Sequence, residues 1–401
     1  MHDVFFVECS AEKQMGTMHA KDLYTSSRFR AARSVAEAAS DTWYILSGQH
    51  GLIAPDALIE SYDRVIADLS DPDCSRWQKQ VRAQVAKCCK TGDRLTLLCG
   101  DDYVAPLKAS GCLDKLSVRS PFMGKARSQR LEHLLGLLGQ TERGQQLNRF
   151  YEILLEHGSL VTQGRSFGTP KFYDRIPDKG VYFFFEPSQH RMLSKEQRRV
   201  IRVGTHGVSL GSKSSLLNRI NTHFGTRSGS GNHRSSIMRL HIGAAMLAQG
   251  DLGFKVPTWG SKEMPSGQDR ELEEKLEQQV SKFIREMDFI CIGIGDQSSA
   301  KSDRAFIEQN SIALLSGETG PLDVADSQWV GLYSPKAEIR RSNLWNVNEV
   351  GGTPTPEFLE TLSHYIRVSI GSVPPLNGSI APENWYDQRR GWEIKGQKRL
   401  F

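Results

Sequence analysis

Two short segments in the second half of the chain combine an apolar run with a glycine and a polar side chain. They are GVYFFFEP at Gly180–Pro187 and IRVGTH at Ile201–His206. Runs of this length and composition predict β-strands. Tyr182 and Arg202 are the polar side chains that the two strands would present.

A helix and a distant glutamate add charged and titratable groups to this set. The sequence LLNRINTH places Arg219 and His223 one helical turn apart on the same face. Further along, FIEQNSIALL places Glu308 in an apolar helix, where a carboxylate needs a partner and a metal ion is a good candidate. Phosphodiester cleavage develops charge on the phosphoryl oxygens, which a metal cation and an arginine would stabilise.

Each of these residues also has an ordinary structural interpretation. Tyr182 would serve as a core or edge-strand aromatic residue, and Arg219 with His223 would lie on a solvent-facing helix surface. Glu308 would be an N-terminal helix charge that the helix dipole stabilises. Their joint occurrence in this order favours the catalytic interpretation.

In order, spacing and residue type, these segments resemble the GIY-YIG nuclease superfamily over roughly residues 180–348. The resemblance implies an α+β domain in which a first-motif tyrosine helps to activate the attacking water. It also implies a helix arginine that stabilises the scissile phosphate and one glutamate that holds a single Mg²⁺ or Mn²⁺ ion. Those roles fall on Tyr182, Arg219 and Glu308, with His223 joining Tyr182 in proton transfer.

The chain departs from the family pattern at two points. The second motif normally begins with tyrosine, but Arg202 stands before Val203 and Gly204. Either Arg202 grips phosphate instead, or another residue supplies the second hydroxyl. The late asparagine of the family would be Asn348 or Asn310, and the sequence does not choose between them.

A basic segment lies within this region. Between Glu186 and His241 the chain carries ten Lys/Arg, two Glu and no Asp, a local balance of +8 against +5 for the whole chain. Such a run is often only a solvated face, but an excess larger than that of the whole chain favours a polyanionic partner. The long stretch between the arginine helix and the glutamate suggests an inserted recognition element. Arg234, Arg239 and His241 recur on one expected helix there, and we expect them to contact DNA.

The first 140 residues alternate strand-like and helix-like segments. Apolar runs at Val4–Cys9, Trp43–Ser47 and Leu95–Cys99 flank helical patterns at Phe29–Ala39 and Trp77–Cys89. This alternation predicts an α/β domain with a mainly parallel sheet, which precedes the α+β domain. Ligands of such sheets bind beyond the carboxyl ends of the strands.

Polar residues follow each of these strands and would meet at that edge of the sheet. They are Ser10, Lys13, Gln49, His50, Asp56, Tyr62, Asp63, Asp101 and Tyr103. A flipped base needs hydrogen bonding along its edge and an aromatic stacking surface. Gln49 would read the base, Tyr62 and Tyr103 would stack on it, and Asp63 or Asp56 would serve a glycosylase reaction.

Several of these residues have simpler alternatives. Asp56 follows Pro55 and would suit a turn or a helix cap. His50 would only hydrogen-bond the backbone of the SGQHG turn, Asp101 lies where a helix N-cap is wanted, and Lys13 would be solvated.

The same region carries five motifs in order: CSAEK, AKDLYTSSRFRAAR, WYILSGQHGLIAPDALIESYD, LLCGDDYVAPL and SPFMGKARSQRLEHL. Over residues 3–138 they resemble a bacterial domain family of unknown function, distantly related to the YaaA-type peroxide-stress proteins. That family is in turn similar to uracil-DNA-glycosylase-like α/β domains. The resemblance implies recognition or excision of a base.

The length of 401 residues predicts two domains. We expect an α/β domain at 1–140, a helical connector and linker at 141–178, and a nuclease domain at 179–401 with a basic, mobile tail at 389–401. No run of about 20 apolar residues and no secretion signal is visible, which indicates a cytoplasmic protein without membrane contact. The seven cysteines form no CxxC pair, so neither a zinc site nor a disulfide framework is expected.

Together these interpretations predict an enzyme that acts on modified DNA. The first domain would recognise or excise an unusual base in double-stranded DNA, and the second would cut the backbone, with defence against phages that modify their genomes as a natural use. One alternative is a restriction-like nuclease whose first domain only binds a base. Another is a non-catalytic DNA-binding or stress protein with both sites degenerate. A homodimer is left open.

Overall fold

The computed structural model describes residues 2–156, 160–318, 320–375 and 378–386, and the chain forms two compact units, Met1–Gly144 and Gln145–Phe401. The basic tail expected at 389–401 lies outside the described residues. Within the described ranges, no helix is both long enough and apolar enough to cross a bilayer. All seven cysteines are free thiols, and Cys9 and Cys99 are buried in the core.

The first unit contains seven strands and five helices among its described residues. The strands are β1 Asp3–Glu8, β2 Thr17–His19, β3 Thr42–Ser47, β4 Gly51–Ile53, β5 Leu58–Glu60, β6 Arg94–Leu98 and β7 Ser117–Arg119. The helices are α1 Ala20–Leu23, α2 Ser27–Ala39, α3 Asp71–Cys88, α4 Asp101–Ala109 and α5 Arg127–Gln140.

The main sheet of this unit has the order β4-β3-β1-β6-β7. β1 pairs in parallel with β3 and β6, β6 pairs in parallel with β7, and only β4 is antiparallel. β1 is central, and its residues from Val4 to Glu8 are all buried, which explains its continuous apolar run. The expected α/β class with a mainly parallel sheet is therefore confirmed.

The second unit also contains strands and helices, beginning with a helix that starts at the boundary between the units. The strands are β8 Val161–Gln163, β9 Gly180–His190, β10 Arg198–Thr205 and β11 Asp288–Gly293. The helices are α6 Glu142–Leu155, α7 Pro170–Tyr173, α8 Leu216–Phe224, α9 Ile237–Gln249, α10 Gly267–Arg285, α11 Asp303–Ser316, α12 Ala337–Ser342 and α13 Phe358–Ser369.

The sheet of the second unit is antiparallel, with the order β10-β9-β11-β8. β9 lies at its centre and is buried from Gly180 to Glu186. Aromatic side chains dominate the core on one face, where Phe224 and Phe289 pack against Phe172 and Phe184 packs against Phe289. This core fixes α8 against the sheet, and α8 carries two of the expected site residues.

The segment expected to be a connector, 141–178, is largely built into the second unit. Leu147, Phe150, Tyr151 and Leu154 of α6 are fully buried, and β8 pairs with β11 as an edge strand. The apolar stripe of α6 is the physical reason, because a helix with such a stripe buries it against a core.

The first turn of α11 holds a later part of the chain in place. Asp303 is fully buried and accepts hydrogen bonds from the Tyr365 hydroxyl (2.5 Å), the Ile380 N–H (2.8 Å) and the Ala381 N–H (3.2 Å). The Ser379 hydroxyl donates to the same carboxylate. Asp303 therefore anchors residues 379–381 to the helix that also carries Glu308.

Candidate active site

Tyr182 and Gly204 face each other across β9 and β10, in register. Tyr182 is fully buried, and a Cβ atom placed on Gly204 would lie 2.2 Å from the Tyr182 hydroxyl oxygen. Any side chain at 204 would therefore displace the tyrosine. The glycine of the second motif is required by the tyrosine of the first.

The Tyr182 hydroxyl begins a buried chain of hydrogen bonds. It lies 2.8 Å from Nε2 of His223, whose Nδ1 lies 2.8 Å from Oγ of Ser236. Burial, and then the charges of Arg219, Arg202 and Arg239, hold the pKa of His223 well below 6.5. The imidazole is therefore neutral at neutral pH. Ser236, the N-cap of α9, was not expected from the sequence.

Glu308 lies on α11, half-buried, where it accepts a hydrogen bond from the Thr205 N–H at 3.2 Å. Burial raises the pKa of its carboxyl to about 7, while the nearby Arg202 opposes that rise. The pKa is also lowered by the Thr205 N–H and Arg219 and raised by Glu349. The carboxylate thus lies close to two arginines of the site without an ion pair to either.

Arg219 stands among the titratable groups of the site. It is half-buried on α8, and among the described residues its side chain makes no hydrogen bond or ion pair. Its charge helps to lower the pKa values of His223 and His206, and it opposes the rise in the pKa of Glu308. An unpaired guanidinium among these groups is placed to receive an anion.

Arg202, which replaces the second-motif tyrosine, is buried and points to the same site. Its Nη1 donates to the Trp345 carbonyl at 2.6 Å, and its Nε has no hydrogen-bond partner in the described structure. A guanidinium with a buried, unused Nε donor therefore occupies this position in the described structure.

The two candidates for the late asparagine have different surroundings. Asn310 is buried and structural, since its side chain donates to the Phe306 carbonyl and accepts from the Thr355 N–H. Asn348 is exposed, next to Glu349. A third asparagine, Asn346, both accepts from Val203 N–H and donates to Val203 C=O, and so extends the edge of β10. The sequence analysis did not consider Asn346.

The three residues expected to contact DNA from one helix are engaged or enclosed within the fold. Arg239 is fully buried, and its Nε donates to Glu277 at 2.8 Å and its Nη1 to the His223 carbonyl at 2.9 Å. Arg234 precedes α9 and forms an ion pair with Glu273 at 2.7 Å. Burial lowers the pKa of His241, which is also enclosed, to about 4. Arg239 and His241 are therefore buried in the inserted element, and Arg234 is half-buried in an ion pair.

Much of the basic excess between residues 186 and 241 is likewise neutralised inside the fold. Four of its arginines pair with carboxylates that lie outside the segment: Arg191 with Asp323, Arg198 with Asp288, Arg234 with Glu273 and Arg239 with Glu277. Four of the ten cations in this run therefore serve internal ion pairs between distant elements.

A single-carboxylate metal site fits the geometry. Throughout the described ranges, no group of three or more His, Cys, Asp or Glu side chains could share a metal ion. Glu308 offers one oxygen without a hydrogen-bond partner in the described structure, and burial raises the pKa of its carboxyl. Mg²⁺ binds carboxylate oxygens while keeping several waters, so one protein ligand is sufficient.

In the first unit, Tyr62 is the centre of a polar cluster. Its hydroxyl lies 2.6 Å from the Tyr24 hydroxyl and 2.7 Å from Ser47 Oγ. The His50 ring meets the Tyr62 ring edge-on at 4.9 Å, and the Lys13 ammonium lies 4.7 Å from its centroid. The structure therefore brings together Lys13, His50 and Tyr62 beyond the ends of β1 and β3.

Other expected pocket residues are engaged elsewhere. Tyr103 is buried, with its hydroxyl 3.2 Å from Cys9 Sγ, and cannot serve as a stacking surface in this state. Ser10 is buried and donates to the Glu12 carbonyl at 2.9 Å. Gln49 is exposed in the turn, where Ser47 Oγ accepts its backbone N–H.

The three aspartates do not converge with this cluster in the described structure. Asp56 is exposed in the turn that closes with a hydrogen bond from Ala57 N–H to the Ala54 carbonyl, and it pairs with Lys21. Asp63 is exposed and makes no hydrogen bond among the described residues. Asp101 is exposed and is the first residue of α4. The N-cap of this helix is Gly100, one residue before the position at which Asp101 was expected to cap.

Glu8, at the carboxyl end of β1, was not expected from the sequence as a site residue. Its buried carboxylate accepts the Gly100 N–H at 2.5 Å and pairs with Arg28 at 2.8 Å. β1 and β6 are neighbours in the sheet, and the chain continues from β1 to β3 on one side of them and from β6 to β7 on the other. Glu8 and Gly100 therefore flank the crevice in which such sheets bind ligands.

Two family models match the chain. One, described as a GIY-YIG domain, covers residues 141–370, more than half of the chain, and the other, a family of unknown function (DUF6884), covers residues 4–135. No curated protein and no solved structure matches. The second description names no activity, so the expected relation to YaaA-type and uracil-DNA-glycosylase-like domains stays a prediction.

Proposed function

Because the chain belongs to the GIY-YIG domain family, we propose that it is a divalent-metal-dependent endonuclease that cuts double-stranded, base-modified DNA. The nuclease site comprises Tyr182, His223, Arg219 and Glu308, with Arg202 in the place of the second tyrosine. The observation that carries the proposal is the unpaired Arg219, which lies among His223, His206 and Glu308.

Arg219 and Arg202 account for transition-state stabilisation. The phosphoryl oxygens gain charge as water attacks, and donors that are already in place need no reorganisation at that moment. Arg202 has a free Nε, and Arg219 makes no hydrogen bond or ion pair to the described residues. Both guanidiniums therefore keep a donor that no described residue uses, and the buried Nε of Arg202 requires that DNA binding opens its enclosure.

Glu308 would hold Mg²⁺ or Mn²⁺, which supplies Lewis-acid polarisation of a phosphoryl oxygen when bound. The Thr205 N–H fixes one carboxylate oxygen and leaves the other free. Glu349, whose charge adds to the raised pKa of Glu308, contributes further negative potential at this position.

Tyr182 and His223 would move the proton of the attacking water. The water gives a proton to the Tyr182 oxygen as the tyrosine passes its own to Nε2 of His223, which is neutral and has a hydrogen bond to Ser236 on its other side. Both side chains are enclosed in the free protein, so this role requires that DNA binding opens their enclosure. Tyr182→Phe should keep the fold and lose cleavage. Unchanged cleavage by this variant would mean that Tyr182 and His223 only hold β9 against α8.

A cleavage assay tests the nuclease assignment. Modified and unmodified duplexes are incubated with the protein in Mg²⁺ or Mn²⁺, and strand breaks are counted. Glu308→Gln should abolish cutting and leave binding nearly intact, whereas the exposed Glu271→Gln should cut normally. Full cutting by Glu308→Gln in dialysed buffer with Mg²⁺ would refute the site as drawn, and no cutting by the wild type would favour a non-catalytic DNA-binding protein.

We propose that the first unit recognises an unusual base through the cluster around Tyr62. The half-buried ring offers a stacking surface, the exposed Gln49 offers edge-reading hydrogen bonds, and Lys13 offers charge toward the backbone. Excision is the less favoured variant, because Asp56 and Asp63 are both exposed and neither lies in an enclosed position suited to activating water.

Base release, measured separately from strand cleavage, distinguishes the two variants. A reader releases no free base, and Gln49→Ala weakens its preference for modified DNA. A glycosylase releases base without metal, and Asp63→Asn abolishes that release while binding persists; the exposed Asp102→Asn is the matched control. If Gln49→Ala and Tyr62→Ala leave the preference unchanged and no base is released, the first unit is a scaffold.

A further inference from the structure

His206, directly after β10, carries an unused polar atom in a buried position. Its side chain is 5% exposed, and its Nδ1 has no hydrogen-bond partner in the described structure. A buried polar atom without a partner is unfavourable, and native proteins rarely keep one without a reason. The residue stands beside Thr205, whose N–H binds Glu308.

The partner of the other ring nitrogen fixes which nitrogen carries the proton. Nε2 of His206 lies 3.4 Å from Nη1 of Arg304, which also donates to the His206 carbonyl at 2.8 Å. A guanidinium only donates, so Nε2 must carry the lone pair. The proton of the neutral ring is then on Nδ1, and the unused atom is an N–H donor that needs an acceptor.

The charges around His206 favour an anionic acceptor. Burial, and then the charges of Arg304, Lys179 and Arg219, lower the pKa of His206 to about 4. The carboxylate nearest to Arg304 is Asp296, which already accepts from Arg304 Nε at 2.5 Å. Arg304 keeps a further buried donor, Nη2, without a partner in the described chain.

We propose that the Nδ1–H of His206, together with the guanidinium of Arg219, binds a non-bridging oxygen of the substrate phosphodiester. This inference rests on the proposed nuclease function and adds a phosphate-contacting residue from the end of β10 to it. His206 acts as a hydrogen-bond donor of fixed tautomer, and no proton transfer is assigned to it.

Replacing the imidazole with side chains that do or do not retain a donor near Nδ1 tests this contact. His206→Ala removes the donor and should lower kcat/KM for DNA cleavage roughly 10–100-fold, the range for a hydrogen bond to a charged group. His206→Asn places an amide N–H close to the position of Nδ1 and should retain most of the activity. The exposed His190→Ala is the control and should cleave like the wild type.

A neutral phosphate separates a phosphate contact from a structural role. Once the cleaved bond is mapped, a duplex with one methylphosphonate at that position is bound to the Glu308→Gln protein. The methylphosphonate should weaken binding to the protein that retains His206. It should weaken binding much less when His206→Ala is also present, because that variant has already lost the contact. Equal weakening in both backgrounds would overturn the proposal and leave a water molecule as the acceptor.

A third measurement does not depend on cleavage. The ¹⁵N signal of His206 Nδ1 is followed in the full chain as inorganic phosphate is added, and it should shift and saturate, with no shift at His190. If the wild type cuts no DNA but this shift appears, the nuclease assignment fails and the anion site stands. If DNA is cut normally by His206→Ala and phosphate causes no shift, the phosphate contact fails and the nuclease assignment stands.

Discussion

Gly204 and Tyr182 occupy facing positions of two antiparallel strands, and the space that a Cβ would fill at 204 is taken by the tyrosine hydroxyl at 2.2 Å. The two motifs of the nuclease site are therefore one packing unit. The hydroxyl reaches His223 because nothing projects from residue 204.

Gly204→Ala should consequently abolish cleavage by displacing Tyr182 from His223. Overpacking of this kind destabilises a core by about 1–3 kcal/mol. Cleavage rate and urea unfolding of the variant are measured beside Gly136→Ala, a helix glycine with open space around its Cβ position. Normal cleavage by Gly204→Ala would show that the hydrogen bond between Tyr182 and His223 is dispensable.

Arg219→Ala and Arg239→Ala should fail in different ways. Arg239 forms a buried ion pair with Glu277, and removing it leaves that buried carboxylate with His233 as its remaining partner, at a cost of about 3–5 kcal/mol of stability. Arg219 has no such partner among the described residues, so its loss should slow cleavage while the unfolding free energy changes by less than about 1 kcal/mol. Urea unfolding and cleavage rates check both, with the exposed Arg270→Ala as control. A stable, DNA-binding-deficient Arg239→Ala would restore the expected DNA-contacting role of that residue.

Metal-free protein should lose stability as the pH rises from acid towards neutrality, because the pKa of Glu308 is about 7 in the folded state and 4.5 when unperturbed. Between those values the folded carboxyl keeps a proton that the unfolded one has lost, so stability falls as pH rises from about 4.5 to about 7, by up to about 3 kcal/mol. In EDTA at pH 8, Glu308→Gln should be more stable than the wild type and inactive. Identical urea midpoints of the two proteins from pH 5 to pH 8 would show that the pKa of Glu308 is not raised in the folded protein.

His241 should make the protein less stable in acid. Burial lowers its pKa to about 4 from 6.5, so the unfolded state binds the proton first and stability falls as pH drops below about 6.5. His241→Asn should reduce the loss between pH 7 and pH 5 by up to about 2 kcal/mol, and the exposed His190→Asn should not. An unchanged loss in His241→Asn would mean that the ring is already charged in the fold.

The local parts of this structure could be read from the sequence. The apolar runs of β1, β3, β6, β9 and β10 and the helical stripes of α2, α8 and α11 follow from periodicity and composition. The pair Tyr182 and His223 follows from motif order. β11 was missed, because a short apolar run directly after the long helix α10 is not distinguishable from its continuation.

The partners of charged residues could not be read in the same way. Arg239 looks like a surface cation in its own segment, and only Glu277, 38 residues away on α10, reveals it as part of the core. His206 and Ser236 acquire their roles from Arg304 and His223, which are distant along the chain. Tertiary contacts of this kind have no local sequence signal. The motif residues of the site could therefore be predicted, but the residues that hydrogen-bond to them could not.

The anchoring of residues 379–381 by Asp303 has a consequence for the order of events during synthesis. The carboxylate and the Ile380 N–H that it binds are 77 positions apart, so α11 leaves the ribosome well before the segment that satisfies Asp303. Until then the helix that carries Glu308 holds a carboxylate that it cannot bury without loss of stability. We expect this helix to be unstable in nascent chains that stop short of residue 379. Such unfinished chains would then be unable to cut the DNA of the cell that makes them. Pulse proteolysis of stalled chains with and without residues 379–386 would reveal the difference.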